Sequence, residues 1–395
     1  MTPNDRVWTA LSGLIGGHIR AGTLAVQTPD GDTRVFRGDA PGPAAEISLR
    51  NFRLIRRLAT VGAIGLADSY IDEDFTTPDL EALLQVAALQ LEPAHRRGVP
   101  APVEHVGRAL WRRLGHAAEP RGPLRTTVAH YDLGNDFYAL WLDPTMTYSS
   151  AFFERDDMTL EAAQLAKYRR MAQTADLRSG QRVLEVGSGW GGFALYAARE
   201  IGCHVTTITV SREQHLYVAK LVAEQGLADR VDARLEDYAD VAGAFDRIVS
   251  IEMIESIPGT RWPDYFRRLH GLLAPGGRFG LQSIWVADHH WRDSNENPDF
   301  IRRYVFPGAQ VPSLGVLRRD SSAAGFRWLH DTAFGDPYAR TLHRWLQGFD
   351  AAWPQIAEMG FDQRFRRMWR YYLAYCRAGF AVGRTSVSQI ALLAD

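Results

Sequence analysis

The feature that most constrains the fold of this 395-residue chain is an alternation of short apolar runs with helix-like patterns after Arg125. The strands predicted from it are Arg182–Val186, His204–Thr209, Arg230–Arg234, Phe245–Ile251 and Arg278–Ile284. Such an alternation predicts an α/β fold in which helices cover both faces of a parallel sheet. Ligands of these sheets bind at the carboxyl ends of the strands, so functional residues are expected there.

The chain before Pro123 has a different pattern. Clusters of proline and glycine interrupt it, and the last of them, Glu119–Pro123, favours a domain boundary. The elements predicted before this boundary are a helix at Val7–Ile15, a hairpin at Thr23–Phe36 around Pro29–Gly31, and a helix at Leu80–Leu91. We therefore predict a small α+β domain over residues 1–124, followed by the α/β domain over residues 125–395.

Composition excludes several classes of protein. The formal net charge of -1 gives no field that would hold a polyanion, so no nucleic-acid partner is expected. No stretch reaches the roughly 18 apolar residues of a spanning helix. The two cysteines, Cys203 and Cys376, match neither a metal site nor a disulfide framework, which favours a reducing compartment. The expectation is a metal-free cytoplasmic protein that meets lipid only from the surface.

The first predicted strand of the α/β domain runs into a glycine-rich turn, Gly187–Gly192, and then into a predicted helix, Phe193–Ile201. Glycines let the backbone approach a ligand closely, and a helix start offers unpaired N–H groups, so a bound small molecule is predicted. The second strand ends in Thr209–Gln214, where hydroxyls and an amide replace the ribose carboxylate of many nucleotide-binding folds. After the third strand, Glu236 and Asp237 are candidate adenine contacts, with solvated loop acids as the alternative.

The run Glu185-Val186-Gly187-Ser188-Gly189-Trp190-Gly191-Gly192 resembles the first motif of class I S-adenosylmethionine-dependent methyltransferases. Four further segments extend this likeness, namely His130–Tyr138 with Trp141–Pro144, Thr147–Ser150, Phe300–Gly308 and Trp369–Leu373. Together they resemble the cyclopropane-fatty-acyl-phospholipid synthase family from about His130 to Leu393. The resemblance implies a class I methyltransferase, Rossmann-like sheet with helical inserts that cover an acyl pocket.

The family resemblance also implies a cofactor and a substrate. The residues that it assigns to S-adenosylmethionine are Tyr148, Ser149, Gly187, Gly189, Thr209 and Gln214. The implied substrates are unsaturated acyl chains of phospholipids, and the implied product is a cyclopropane fatty acid. The aromatic residues that are candidate pocket walls, with core packing as the alternative, are Phe137, Tyr138, Tyr304, Phe306 and Tyr338.

Ring closure requires a base, and the family is understood to use a bound bicarbonate. The positions that match the family's bicarbonate cage are Glu255, Ile284 and Tyr338. Ser150 stands where many members have cysteine, Gln282 replaces the usual histidine, and Ser256 replaces a histidine beside Glu255. Serine and glutamine still donate hydrogen bonds, so Ser150 and Gln282 are expected to assist the cage. Cys376 lies in a family pattern and is a candidate catalytic residue, with a packing cysteine as the favoured interpretation.

Three alternatives stay open at this point. If the altered cage leads to deprotonation at a neighbouring carbon, or to hydride addition in a later step, the product would be a methylene- or methyl-branched chain on the same lipids. Relatives of the family methylate small amines, which is a second alternative. The third is a lipid-binding relative without catalysis.

The stretch His95–Arg125 predicts how the protein reaches lipid. Its basic residues, with Leu110 and Trp111 among them, are Arg96, Arg97, Arg108, Arg112, Arg113, Arg121 and Arg125. Basic and apolar side chains together suit transient contact with an anionic bilayer, here the inner membrane surface, and a solvated linker helix is the alternative. The sequence also allows a homodimer.

Overall fold

The computed structural model describes residues 8–9, 19–90, 133–296 and 299–395. The chain divides into two compact units. The first takes in the described residues of Met1–Val128 together with Pro298–Val305 and Ile356–Arg384, and the second takes in those of Ala129–Asn297, Phe306–Gln355 and Thr385–Asp395. The predicted helix at Val7–Ile15, apart from residues 8 and 9, the basic stretch His95–Arg125 and the predicted boundary at residues 124/125 lie outside the described residues.

The first unit contains a four-stranded sheet of β1 (Ala21–Gln27), β2 (Thr33–Arg37), β3 (Ala40–Leu49) and β4 (Phe75–Thr76). The strand order is β2-β1-β3-β4. The antiparallel pair β1–β2 confirms the predicted hairpin, and β3 pairs with β1 in parallel. Alternate residues of β1, including Leu24 and Val26, are buried, which gives the sheet one apolar face.

Helices cover this unit. They are α1 (Arg53–Val61), α2 (Ala63–Ile71) and α3 (Leu80–Leu89), the last of which confirms the predicted apolar helix. Asp79 caps α3 by accepting a hydrogen bond from the Ala82 N–H. The later helix Gln363–Ala381 packs on α2 and α3, so the first unit is built from segments that are distant in sequence. This contribution was not expected from the sequence.

The second unit contains a seven-stranded sheet. Its strands are β5 (Arg182–Val186), β6 (His204–Thr209), β7 (Val231–Leu235), β8 (Phe245–Ile251), β9 (Leu273–Val286), β10 (Phe326–Ala333) and β11 (Thr385–Ala394). The order is β10-β11-β9-β8-β5-β6-β7. The five strands β5 to β9 are parallel, and β11 pairs antiparallel with both β9 and β10. The predicted α/β class and all five predicted strands are confirmed.

Helices alternate with these strands. They are α4 (Asn135–Ala139), α5 (Leu160–Thr174), α6 (Gly192–Tyr196), α7 (Arg212–Glu224), α8 (Trp262–Leu272), α9 (Asp288–Glu296), α10 (Leu314–Ala323) and α11 (Gly335–Glu358), and the helix of the first unit at Gln363–Ala381 is α12. The π-helical turn Ala197–Ile201 continues α6, in agreement with the predicted helix. Val183 and Leu184 of β5 are fully buried, as expected for a strand covered on both faces. Within the described residues, no helix is long and apolar enough to cross a bilayer.

Candidate active site

A cleft of about 220 Å³ lies at the carboxyl ends of the parallel strands of the second unit. It is bordered by the segments that follow β5, β6 and β8 and by the loop Met146–Ser149. This is the edge at which a doubly wound sheet binds its ligands. The cleft brings together the glycine turn, the end of the second strand and the loop that the family resemblance assigned to the cofactor.

The glycine turn after β5 requires residues without a side chain. Gly187 and Gly189 have φ angles of 94° and 48°, which lie in the left-handed region. A Cβ atom at Gly187 would lie 3.0 Å from the Met253 Cγ, and one at Gly192 would collide with the Tyr168 hydroxyl. The backbone is therefore open to a ligand where larger residues would fill the cleft. This arrangement fits S-adenosylmethionine, whose predicted contacts Gly187 and Gly189 line the cleft.

The end of β6 presents a small polar cluster. The Thr209 hydroxyl donates to the Gln214 Oε1 at 2.9 Å and accepts the Ser211 N–H at 3.1 Å. Glu236, whose N–H donates to the Thr209 carbonyl at 3.0 Å, lines the cleft. Asp237 instead accepts the Ala239 N–H at 2.9 Å in the following turn and is not among the residues that line the cleft.

The loop before α5 contributes Tyr148 and Ser149 to the cleft. The Ser149 Oγ accepts a hydrogen bond of 2.7 Å from the Lys167 Nζ, and Lys167 is completely buried. The Tyr148 ring packs against the rings of Tyr138 and Trp345, with centroids 5.4 and 5.1 Å away. Burial lowers the pKa of Lys167 to about 8, although nearby carboxylates oppose the shift.

Glu252 is one of three acidic residues on the wall of the cleft, with Glu185 and Glu236. It follows β8 with a φ angle of 52°, an uncommon conformation for a residue with a side chain. Its Oε1 accepts the Ser150 N–H at 2.9 Å and the Gln282 Nε2 at 2.8 Å, and its Oε2 accepts the Tyr338 hydroxyl at 2.7 Å. Desolvation by the surrounding protein raises the pKa of its carboxyl above the ordinary value.

Glu255 has a different set of partners. Its Oε1 accepts the Ser283 hydroxyl at 2.9 Å and the Ile284 N–H at 2.6 Å, while its buried Oε2 has no partner among the described residues. Burial, with a smaller effect from Glu252, raises the pKa of Glu255 to about 8. From the sequence, Tyr338, Gln282 and Ser150 were expected to surround the same anion as Glu255. The structure brings those three to Glu252, because Glu252 stands at the end of β8 and turns its carboxyl toward them.

The raised pKa of Glu255 predicts a pH dependence of stability. The folded protein keeps this carboxyl protonated up to about pH 8, whereas the unfolded chain releases the proton near the ordinary value. The free energy of unfolding should therefore fall as the pH rises from about 5 to about 8. Denaturant unfolding of Glu255→Gln, which cannot ionise, should show a smaller fall than the wild type. An unchanged pH dependence in this variant would contradict the assignment.

The remaining predicted site residues, the candidate pocket walls and Cys376, do not line the cleft. Phe137 and Tyr138 are fully buried in an aromatic cluster with Trp141, as the packing alternative expected. Tyr304 belongs to the first unit, where its hydroxyl donates to Asp68. Cys376 lies on α12 in the same unit, and burial raises the pKa of its thiol well above the ordinary value, which disfavours the reactive thiolate.

Sequence reasoning assigned no function to three residues near the cleft. Glu252 was visible as a second carboxylate at the end of a parallel strand, three residues before Glu255. Lys167 is one of only two lysines in a chain whose other basic residues are arginine or histidine, which was a usable signal. The sequence held no such signal for Gln389, because this residue reaches the site from β11, far along the chain. Its Nε2 donates to the Gln282 Oε1 at 3.0 Å.

Comparisons with known proteins agree with this geometry. Tuberculostearic acid methyltransferase of Mycobacterium tuberculosis is 35% identical over 87% of this chain and 81% of its own length. Cyclopropane-fatty-acyl-phospholipid synthase of Escherichia coli is 34% identical over 87% of this chain and 86% of its own. The solved structure of mycolic acid cyclopropane synthase CmaA1 complexed with SAH and CTAB is 31% identical. It superimposes with a TM-score of 0.63 over 70% of this chain and all of that one.

The family model described as mycolic acid cyclopropane synthetase matches residues 119–390. The sheet order, the glycine turn and the cleft at its carboxyl edge are those of an S-adenosylmethionine-dependent methyltransferase, in line with the first motif of the sequence. These matches cover most of the chain and join sequence with structure. The chain therefore belongs to the cyclopropane synthase family of S-adenosylmethionine-dependent enzymes that transfer a one-carbon unit to lipid double bonds.

Proposed function

We propose that this enzyme transfers a methyl group from S-adenosylmethionine to the double bond of an unsaturated acyl chain in a phospholipid, and that Glu252 accepts the proton that completes the reaction. The observation that carries the proposal is the Glu252 carboxylate on the cleft wall, held by three hydrogen-bond donors. The phospholipid is supported by the name of the Escherichia coli relative.

Bound S-adenosylmethionine would supply an electrophilic sulfonium methyl group. The residues that would hold it are those of the glycine turn, with Tyr148, Ser149, Thr209, Gln214 and Glu236. Attack of the double bond on the methyl carbon would break the bond from that carbon to sulfur, release S-adenosylhomocysteine and leave a cation on the neighbouring acyl carbon. Aromatic faces near a cation contribute roughly 0.5 to 2 kcal/mol each, and Tyr148 and Trp190 line the cleft. Rings also exclude water that would capture the cation.

The cation is then resolved by loss of a proton from the transferred methyl group. Glu252 takes the proton, and the two electrons of the broken C–H bond form a bond to the cationic carbon, which closes a cyclopropane ring. Bicarbonate is not required in this scheme, because three of the groups expected to hold it, Ser150, Gln282 and Tyr338, already bind Glu252. An anionic carboxylate would also repel a second anion.

A branched chain is the second candidate product, and the name of the tuberculostearic acid methyltransferase supports it. In this course a hydride first shifts between the two acyl carbons, so that the cation moves to the carbon bearing the new methyl group. Loss of the same methyl proton to Glu252 then gives an exocyclic methylene. A saturated methyl branch needs a further hydride donor, so this chain alone would stop at the methylene.

The function is tested by incubating the protein and S-adenosylmethionine with vesicles of a monounsaturated phosphatidylglycerol. Gas chromatography and mass spectrometry of the released fatty acids should show the gain of one CH2, at equal rates with and without added bicarbonate. The same vesicles with saturated chains are the control and should give no product. The retention time and fragmentation separate cyclopropane from methylene. No mass gain would contradict the proposal and favour an amine acceptor or a lipid-binding protein.

A further inference from the structure

The groups around Glu252 form a closed ring of hydrogen bonds that begins and ends at Lys167. The Lys167 Nζ donates to the Ser149 Oγ at 2.7 Å, and the N–H of the next residue, Ser150, donates to Glu252 at 2.9 Å. On the other side, the Gln282 Nε2 donates to Glu252 at 2.8 Å. Gln389 closes the ring, because its Nε2 donates both to the Gln282 Oε1 at 3.0 Å and to the Lys167 carbonyl at 3.2 Å.

This ring fixes the orientation of each donor. The Lys167 carbonyl can only accept, so the Gln389 amide turns its NH2 to it, and the same nitrogen donates to the Gln282 oxygen. The Gln282 NH2 is then left to donate to Glu252. The Gln164 Nε2 donates to the Ser149 carbonyl at 2.9 Å, and the Lys167 ammonium donates to the Ser149 side chain. These two contacts hold Ser149 in place and so orient the N–H of the next residue, Ser150, toward Glu252. Gln164 and Lys167 lie one turn apart on α5, which makes this helix the support of the site.

Burial of Lys167 is costly unless negative charge compensates it. The side chain is completely buried, and its ammonium lies 4.5 Å from the centre of the Tyr168 ring. The carboxyl groups that act on it are, in decreasing order, those of Glu252, Asp143 and Glu185. A buried ammonium persists in proteins only where such partners offset its lost hydration.

We propose that Lys167 is the positioning residue of this site, which aims the Ser150 N–H through Ser149 and supplies the positive charge that holds Glu252 as a carboxylate. The inference rests on the proposed function, in which Glu252 must be ionised before it can accept the proton. The other titratable groups that face Glu252 are Tyr338, which donates to it, and Glu255, whose ionisation would oppose that of Glu252.

The test compares Lys167→Met and Lys167→Gln, which remove the charge, with Lys167→Arg, which keeps it. The second lysine of the chain gives a matched control, because Lys220 is exposed and pairs with Glu224 at 3.7 Å. In the neutral variants the acid limb of the kcat–pH profile should move to higher pH, because the Lys167 charge lowers the pKa of Glu252 in addition to the hydrogen bonds from Tyr338, Ser150 and Gln282. Lys167→Arg and Lys220→Met should keep the wild-type limb. If Lys167 had only a structural role, its replacement would lower kcat without moving the acid limb of the kcat–pH profile.

A second measurement does not depend on turnover. Infrared titration follows the carboxyl band that is lost in Glu252→Gln, and this band should protonate at higher pH in Lys167→Met than in the wild type. An unmoved band and an unmoved acid limb, in neutral variants that still bind S-adenosylmethionine in a calorimetric titration, would overturn the inference. If the wild type turned over no unsaturated lipid, the proposed function would fail, while the infrared titration would still decide the role of Lys167.

Discussion

Replacing Glu252 with glutamine should lower product formation by roughly a hundredfold to ten-thousandfold, the range for loss of a positioned proton acceptor. The amide has nearly the same shape and still accepts hydrogen bonds through its oxygen, but it cannot take the proton from the transferred methyl group. Affinity for S-adenosylmethionine, measured by calorimetry, should change little. The fatty acid products are quantified by mass spectrometry under single-turnover conditions.

Two further variants sharpen this result. Glu252→Gly removes the carboxylate at a position whose φ angle of 52° suits glycine, and leaves the Ser150, Gln282 and Tyr338 donors around the vacated space. Added bicarbonate should restore part of its activity, whereas chloride should not. Glu255→Gln should lose less activity than Glu252→Gln, because Glu255 is not among the residues that line the cleft. An equal or larger loss in Glu255→Gln would return the catalytic role to Glu255.

Replacing Gly187 with alanine should weaken S-adenosylmethionine binding by tenfold or more. The residue has a φ angle of 94°, and a Cβ atom there would lie 3.0 and 3.3 Å from the Met253 side chain. The new methyl group would therefore distort the turn or push Met253 into the cleft, whose lining includes both residues. A tenfold change corresponds to about 1.4 kcal/mol, which calorimetric titration resolves.

Gly180→Ala is the matched control for this substitution. Gly180 also has a left-handed φ angle, of 80°, but a Cβ atom there would meet nothing within 4 Å, and the residue lies in the turn before β5, at the opposite end of the strand from the cleft. This variant should lose stability through backbone strain while its affinity for the cofactor stays at the wild-type value. Equal loss of affinity in both variants would show that strain alone, and not the cleft, explains the effect at Gly187.

The sheet of the second unit was predictable because its signal is local. Strands such as β5 and β8 contain short apolar runs, Val183–Leu184 and Ile248–Val249, and the glycine turn follows β5 directly. The same local reasoning recovered the hairpin β1–β2 and the helix α3. It did not place α12 in the first unit, because packing between segments about 300 residues apart leaves no periodic trace in either of them.

The residue types of the candidate site could be predicted from the sequence, but which of these residues contact one another could not. Ser150, Gln282 and Tyr338 were singled out by resemblance, and the structure does bring them together. Their shared partner is Glu252, which the resemblance could not indicate because it matched Glu255 to the family's glutamate. Ser150 contributes its main-chain N–H to Glu252, and a backbone donor is not visible in side-chain identity. The assignment of these residues to catalysis stays a proposal.

The most direct test of the central claim uses S-adenosylmethionine that carries a fully deuterated methyl group, in buffer freed of bicarbonate. The account predicts that the protein modifies unsaturated phospholipid at the same rate as with bicarbonate, and that the added carbon retains two deuterium atoms, because Glu252 removes the third. Activity that returns only when bicarbonate is added would contradict the role of Glu252. Retention of all three deuterium atoms would show that the proton does not leave the transferred methyl group.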